Sequence, residues 1–206
     1  MRRYFDLTLT GTGHVPATGP VIVAGNHIGV LDGPLVAIMS PRPVHLLTKH
    51  EMFHGAVGRF LDWTGQIPVH RGEADPASVR GAVQVLRRGG VLGIFPEGGR
   101  GAGELADMHP GVGYFALVTG ASVVPLSVLG TRPRGGGRGS LPQRRGRIVL
   151  TYGEPVRFDP QPWPRRTGEV REATSRIRNA MLATTRSAVA ATGLELPGPL
   201  PEGETS

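Results

Sequence analysis

The chain has 206 residues, and its 23 Lys or Arg against 16 Asp or Glu give a formal net charge of +7. With 39% hydrophobic and 19% charged residues, the composition excludes a disordered polyelectrolyte and a membrane-embedded protein, and the length fits one domain. The absence of cysteine excludes disulfides, thiolate metal sites, iron–sulfur clusters and a thiol nucleophile.

Short apolar runs recur along the chain and predict seven strands. These are Asp6–Thr10, Val21–Ala24, Val44–Thr48, Gln66–Val69, Val91–Phe95, Val123–Val128 and Arg147–Tyr152. Helices are predicted between several of them, at Leu31–Met39, Ala56–Thr64, Pro76–Arg88 and Gly111–Thr119. Strands that alternate with helices predict a single α/β domain with a largely parallel central sheet flanked by helices.

The C-terminal third predicts a loop, a helix and a tail. Residues 132–147 are rich in glycine, hold six arginines and no acid, and predict an exposed loop. Apolar residues at helical spacing predict an amphipathic helix over about 165–191, which ends the domain at residue 192. Residues 193–206 hold three prolines and three glutamates and predict a disordered acidic tail. No run reaches the ~18–20 apolar residues needed to span a bilayer.

A histidine and an aspartate follow the second predicted strand. His27 comes directly after Val21–Ala24, and Asp32 opens the next helix after a glycine-containing turn. This layout can bring the carboxylate to one imidazole nitrogen, so that the other nitrogen faces a cleft and accepts a proton. On spacing alone, a surface histidine beside a helix-capping aspartate is the favoured interpretation.

An acid, glycines and an arginine follow the predicted strand Val91–Phe95, in the segment 96–101 that contains Glu97 and Arg100. Ligands in open α/β sheets bind at the carboxyl ends of strands. Glycines there let backbone N–H groups approach an anion, and arginine offers a planar fork that matches phosphate. A glycine-rich surface turn is the alternative interpretation.

Four blocks, taken together and in order, resemble the glycerolipid acyltransferase family, in particular its bacterial 1-acylglycerol-3-phosphate acyltransferases. The blocks are NHIGVLD (26–32), GQIPVHR (65–71), FPEGGRG (95–101) and VVPLS (123–127). The family's pattern is an NHxSxxD-like block, a strand ending in Arg, FPEGTRS and a strand containing Val-Pro. The resemblance covers about residues 11–156 and implies the glycerol-3-phosphate acyltransferase-like α/β fold.

The resemblance implies a reaction of phospholipid biosynthesis. A fatty acyl group would pass from acyl-CoA or acyl-carrier protein to the free hydroxyl of lysophosphatidate or a related lysophospholipid. His27 would be the general base, oriented by Asp32, and the hydroxyl would attack the thioester without an acyl-enzyme. Arg71 and Arg100 would hold the acceptor phosphate, and Glu97 would orient Arg100 or an acceptor hydroxyl.

The remaining substrate-binding candidates are Lys49, Gly98 and Gly99. Lys49 is the lone lysine and stands where family members often carry a basic residue, although an ordinary exposed lysine explains it equally well. Gly29 and Gly99 depart from the family pattern, because they replace a serine and a threonine and so remove two hydroxyl donors. No cofactor and no metal is implied, since the acyl donor is a substrate.

The substrate class, the arginine-rich loop and the missing spanning segment predict a cytoplasmic enzyme, peripheral on the inner face of the plasma membrane and bound to its anionic surface. We expect no nucleic-acid partner, although a basic module that binds nucleic acid through the 132–147 loop is an alternative. A zinc hydrolase is a second alternative function, because His50-Glu51-Met52-Phe53-His54 matches the zinc-binding motif H-E-x-x-H. Gly55 and Gly58 weaken the rigid helix which that motif needs.

Overall fold

The computed structural model describes residues 4–70, 75–162 and 166–204, and these contain seven strands and five α-helices. The strands are β1 Asp6–Thr10, β2 Val21–Gly25, β3 Val44–Lys49, β4 Ile67–Val69, β5 Val91–Ile94, β6 Ser122–Leu129 and β7 Arg147–Tyr152. The helices are α1 Asp32–Met39, α2 Gly55–Trp63, α3 Pro76–Arg87, α4 Gly111–Thr119 and α5 Thr167–Thr192. Each element lies within one or two residues of its predicted bounds.

The strands form one sheet in the order β1-β7-β6-β2-β5-β3-β4. Every pair is parallel except β6 with β7, which run antiparallel. The predicted α/β fold with a largely parallel sheet is therefore confirmed. No helix in the described part of the chain is long and apolar enough to cross a membrane.

Apolar side chains cover both faces of the sheet. In β2, Ile22 and Ala24 join the cluster under α3, α4 and α5, whereas Val21 and Val23 join the cluster that includes residues of α1. Because side chains alternate along a strand, a fully apolar run such as β2 is buried on both faces. This explains why the sequence shows β2 as a continuous apolar run.

A topological switch point lies between β2 and its neighbour β5. From β2 the chain moves outward to β3 and β4, then returns to β5 and crosses to β6 on the other side of β2, so the connections that leave β2 and β5 run in opposite directions. Such a switch point opens a crevice at the carboxyl ends of the strands. His27 follows β2 and Glu97 follows β5, so both candidates stand at this crevice.

Residues 194–204 lie against the 132–147 loop, which differs from the predicted disorder. Gly135 N–H donates to the Pro197 carbonyl, and Arg134 forms an ion pair with Glu195. The loop itself is also more buried than predicted, since Arg132 is 2% exposed and donates to three carbonyls, one of them from Gly198. Glutamates of the tail therefore contact the arginine-rich loop. The composition of each segment, taken alone, does not show that the two segments pack together.

Candidate active site

The predicted pairing of His27 with Asp32 is present in the structure. His27 Nδ1 lies 2.8 Å from Asp32 Oδ2, and the carboxylate is fully buried while the imidazole is 15% exposed. A carboxylate only accepts hydrogen bonds, so Nδ1 carries the proton and Nε2 is the nitrogen that can accept one. The pair therefore has the arrangement of a general base and its orienting acid.

Asp32 is held by hydrogen bonds on both carboxylate oxygens. Oδ2 also accepts from the backbone N–H groups of Ile28 and Gly29, at 2.7 and 2.8 Å. Oδ1 accepts from the Thr131 hydroxyl at 2.5 Å. Because the turn between His27 and α1 is tight, the Asp32 carboxylate binds both the His27 imidazole and the backbone that follows it.

Sequence reasoning did not find Thr131. It follows β6, far from Asp32 in the chain, and both residues are fully buried. A Cβ on Gly29 would lie 2.7 Å from the Thr131 carbonyl oxygen and 2.8 Å from its hydroxyl. The space of the family's serine is therefore occupied by Thr131, whose hydroxyl contacts the same carboxylate.

Phe95 and Glu97 hold His27 from the β5 side. The Phe95 ring stacks on the imidazole, with ring centroids 4.4 Å apart, and Glu97 Oε1 accepts from the His27 backbone N–H at 2.9 Å. Burial raises the pKa of Glu97 to about 7, against hydrogen bonds from the backbone N–H groups of His27 and Leu105 that lower it. The structure thus places Glu97 against the His27 main chain, whereas the resemblance assigned it to Arg100 or an acceptor hydroxyl.

The glycine-rich segment after Glu97 is bent back onto the first block. Gly101 N–H donates to the His27 carbonyl at 2.9 Å, and Gly98 has a φ of 69°, where a side chain would meet the His109 ring. Arg100 donates to the Arg138 carbonyl at 2.8 Å. Gly99 has room for a Cβ, whose closest neighbour would be the Arg138 guanidinium at 3.8 Å.

A cavity of about 250 Å³ opens beside these residues and is lined by both cations and acids. Its polar lining holds two arginines, Arg100 and Arg138, and three acids, Glu97, Glu104 and Asp107. The two guanidinium groups beside a glycine-rich backbone can bind an anion, and the acids limit how much negative charge the cavity accepts. Arg138 is a lining residue that the sequence did not indicate, and the predicted contact of Arg100 with phosphate stays a prediction.

Of the two other basic candidates, the structure describes only Lys49, which does not line this cavity. Lys49 is exposed at the carboxyl end of β3, where it pairs in register with Val69 of β4. Arg71 lies outside the described residues, so its predicted contact with phosphate stays a prediction.

The H-E-x-x-H segment does not form the helix that a zinc hydrolase needs. Residues His50–Met52 form a short 3-10 turn, and His54 is the residue before α2, with the His50 and His54 rings 6.1 Å apart. His50 stacks instead on His70, at 4.2 Å. The described residues contain no group of three or more His, Cys, Asp or Glu side chains able to hold a metal ion.

Comparison with known proteins agrees with the four blocks. A family model described as Acyltransferase matches residues 6–129. The chain is 28% identical over 145 residues to the 1-acyl-sn-glycerol-3-phosphate acyltransferase of Bacillus subtilis, covering 69% of this chain and 70% of the relative. It is 35% identical over 131 residues to the protein of the same name from Borreliella burgdorferi, covering 61% of this chain and 52% of that relative.

One solved structure shares the fold. The 1-acyl-sn-glycerophosphate (LPA) acyltransferase PlsC from Thermotoga maritima superposes with a TM-score of 0.64, over 86% of this chain and 71% of that one. The two sequences are 21% identical, so this likeness concerns the architecture. The two chains therefore share the α/β fold.

Proposed function

The chain belongs to the Acyltransferase family, and on that premise we propose that it acylates lysophosphatidate or a related lysophospholipid, with acyl-CoA or acyl-carrier protein as donor. The observation that carries this proposal is the His27–Asp32 pair at the carboxyl end of β2. The names of the curated relatives support a glycerophosphate acceptor. The cytoplasmic, peripheral location and the absence of a cofactor belong to the same proposal.

The pair supports direct acyl transfer. His27 Nε2 takes the proton of the acceptor hydroxyl as its oxygen forms a bond to the thioester carbonyl carbon. The imidazolium is stabilised by the buried Asp32 carboxylate. When the tetrahedral intermediate collapses, the carbon–sulfur bond breaks, and the departing thiolate takes the proton from Nε2. The products are the ester and the free thiol, and His27 returns to its neutral form.

The acceptor phosphate needs cations close to this pair. Arg100 and Arg138 line the cavity beside Glu97, and Gly101 ties that segment to the His27 carbonyl. Arginine matches phosphate with two parallel hydrogen bonds. Within this proposal Arg100 and Arg71 bind the phosphate, and Lys49 is an accessory cation.

The test is acyl transfer from a radiolabelled acyl-CoA to lysophosphatidate by the purified protein. His27→Ala is expected to lower kcat by at least about a hundredfold, since general-base catalysis contributes that much. Catalysis that survives His27→Ala would overturn the mechanism. Transfer only to a non-phosphorylated acceptor would keep the enzyme class and remove the roles of Arg71 and Arg100.

A further inference from the structure

Helix α2 presents apolar side chains to solvent instead of to the protein core. Gly58 is buried and Leu61 is half-buried, whereas the other residues of the helix are exposed. Val57, Phe60 and Trp63 are 55%, 58% and 83% exposed. Such an arrangement leaves two aromatic rings and a branched side chain in water.

These exposed side chains form one stripe. With 3.6 residues per turn, Ala56, Val57, Phe60 and Trp63 fall within about 120° of the helix circumference. Gly58 and Leu61 lie on the other side, toward the protein. A surface helix of a globular protein ordinarily turns its apolar stripe to the core, so α2 has the opposite orientation.

The orientation is fixed by close packing at the start of the helix. A Cβ on Gly58 would collide with the main chain of Phe53, so no larger residue lets the helix sit where it does. The Phe60 and Trp63 rings contact each other, with centroids 6.1 Å apart. We call Val57, Phe60 and Trp63 the α2 apolar face.

The size of this face allows either a lipid surface or a second protein chain as its partner. Its exposed side chains amount to roughly 400 Å², because a large aromatic residue offers about 150–250 Å². A standard protein interface buries about 800 Å² on each partner, of which about 57%, or roughly 450 Å², is apolar. The choice of a lipid surface therefore rests on the lipid acceptor of the proposed function and on the positive charge of the chain.

A lipid surface fits both the size and the chemistry. Tryptophan and phenylalanine partition to the headgroup level of a bilayer, and short amphipathic helices lie there with their apolar side inward. Along residues 49–62 the exposed charges balance, with Lys49 and Arg59 against Glu51 and Asp62. The attraction to anionic headgroups therefore comes from the whole chain, which carries a formal net charge of +7.

We propose that the α2 apolar face inserts into the headgroup region of a bilayer that contains anionic lipid, and holds the enzyme at its lipid acceptor. This step rests on the proposed lysophospholipid substrate. The topology supports it, because α2 follows β3, and only β5 separates β3 from β2. With strands about 4.8 Å apart, the end of β3 lies about 10 Å across the sheet from the strand that carries His27.

Trp63 is itself the probe that tests this proposal. The chain has two tryptophans, so Trp163→Phe leaves Trp63 as the only indole emitter. On vesicles of phosphatidylcholine with phosphatidylglycerol, we expect a blue shift of its emission and quenching by brominated acyl chains. Unchanged emission with retained vesicle binding would overturn the assignment of the surface.

A second measurement removes the face. Phe60→Ser with Trp63→Ser is expected to lower co-sedimentation with the same vesicles by about tenfold or more, because each buried aromatic ring contributes strongly to partitioning. Leu141→Ser is the matched control, since Leu141 is 62% exposed in the arginine-rich loop. Loss of binding in Leu141→Ser alone would assign docking to that loop and overturn the proposal.

The outcomes also separate docking from catalysis. The double variant should keep its kcat with water-soluble short-chain substrates, since the contacts that hold His27 and Asp32 come from Phe95, Glu97 and Thr131, which are not on α2. A protein that binds vesicles through α2 but transfers no acyl group leaves docking standing and overturns the proposed function. A concentration-dependent dimer that the double variant abolishes, seen by analytical ultracentrifugation, assigns the face to a second copy and overturns the lipid proposal.

Discussion

The hydroxyl of Thr131 is expected to position the Asp32 carboxylate, and Thr131→Val tests this with little change in shape. The substitution leaves Asp32 Oδ1 without its 2.5 Å donor in a fully buried place. Hydrogen bonds to buried charged groups contribute about 1.5–3 kcal/mol. If the carboxylate then shifts away from His27 Nδ1, the activation free energy rises by the same amount. This lowers kcat by about 10- to 100-fold.

The assay is steady-state acyl transfer with acyl-CoA and lysophosphatidate, together with urea unfolding. We expect kcat to fall while the KM for the acceptor stays, because Thr131 does not line the cavity beside Arg100. Thr131→Ser should restore most of kcat, since it restores the donor. In an Asp32→Asn background, Thr131→Val should add little further loss. A folded Thr131→Val protein with the kcat of the wild type would refute the positioning role.

Three further predictions follow from contacts of the site. Glu97 has its pKa raised from 4.5 to about 7 in the folded state, so the free energy of unfolding should fall as pH rises from 4.5 to 7 and then level off. In Glu97→Gln this fall, roughly 3 kcal/mol, should be absent from urea titrations across that range. Gly29→Ser, which restores the family's residue, should lower the melting temperature, because its Cβ meets the Thr131 main chain at 2.7 Å. Arg132→Lys keeps the charge but loses the planar arrangement of donors, so amide hydrogen exchange in residues 194–204 should become faster. Unchanged exchange rates would contradict the role of Arg132 in holding this segment.

The elements of the fold could be predicted from sequence because their signals are local. The buried strands appear as apolar runs, and the Asp75-Pro76 pair at the start of α3 is a helix N-terminus that the structure shows as a side-chain cap on Ala77 and Ser78. The order of the strands is not local, since it depends on which strands pair. The antiparallel pairing of β6 with β7 follows from the return of the 132–147 loop, which no periodicity specifies.

The candidate site divides in the same way. His27, Asp32, Glu97 and the glycines that follow are close in sequence to strand ends, so position along the chain indicates them. Thr131 also follows a strand end, but nothing in the sequence pairs its hydroxyl with Asp32, which lies 99 residues away. A glycine where the family has serine was the one indication that another group occupies that space.

The net charge overstates how many arginines are free to bind a ligand, because several of them bind main-chain carbonyl groups of the protein itself. Arg132 donates to the Gly101, Gly136 and Gly198 carbonyls, and Arg42 donates to three carbonyls of the loops before β2 and β5. Loops rich in glycine and proline leave main-chain carbonyls without strand or helix partners, and a buried unpaired carbonyl is costly. The guanidinium of arginine carries five N–H donors spread over three nitrogens in one plane, so it can bind several carbonyls at once. The ammonium of lysine carries three N–H donors on a single nitrogen. The preference for arginine over lysine is therefore partly structural at these positions, and fewer guanidinium groups are free to contact phosphate or lipid than the arginine count suggests.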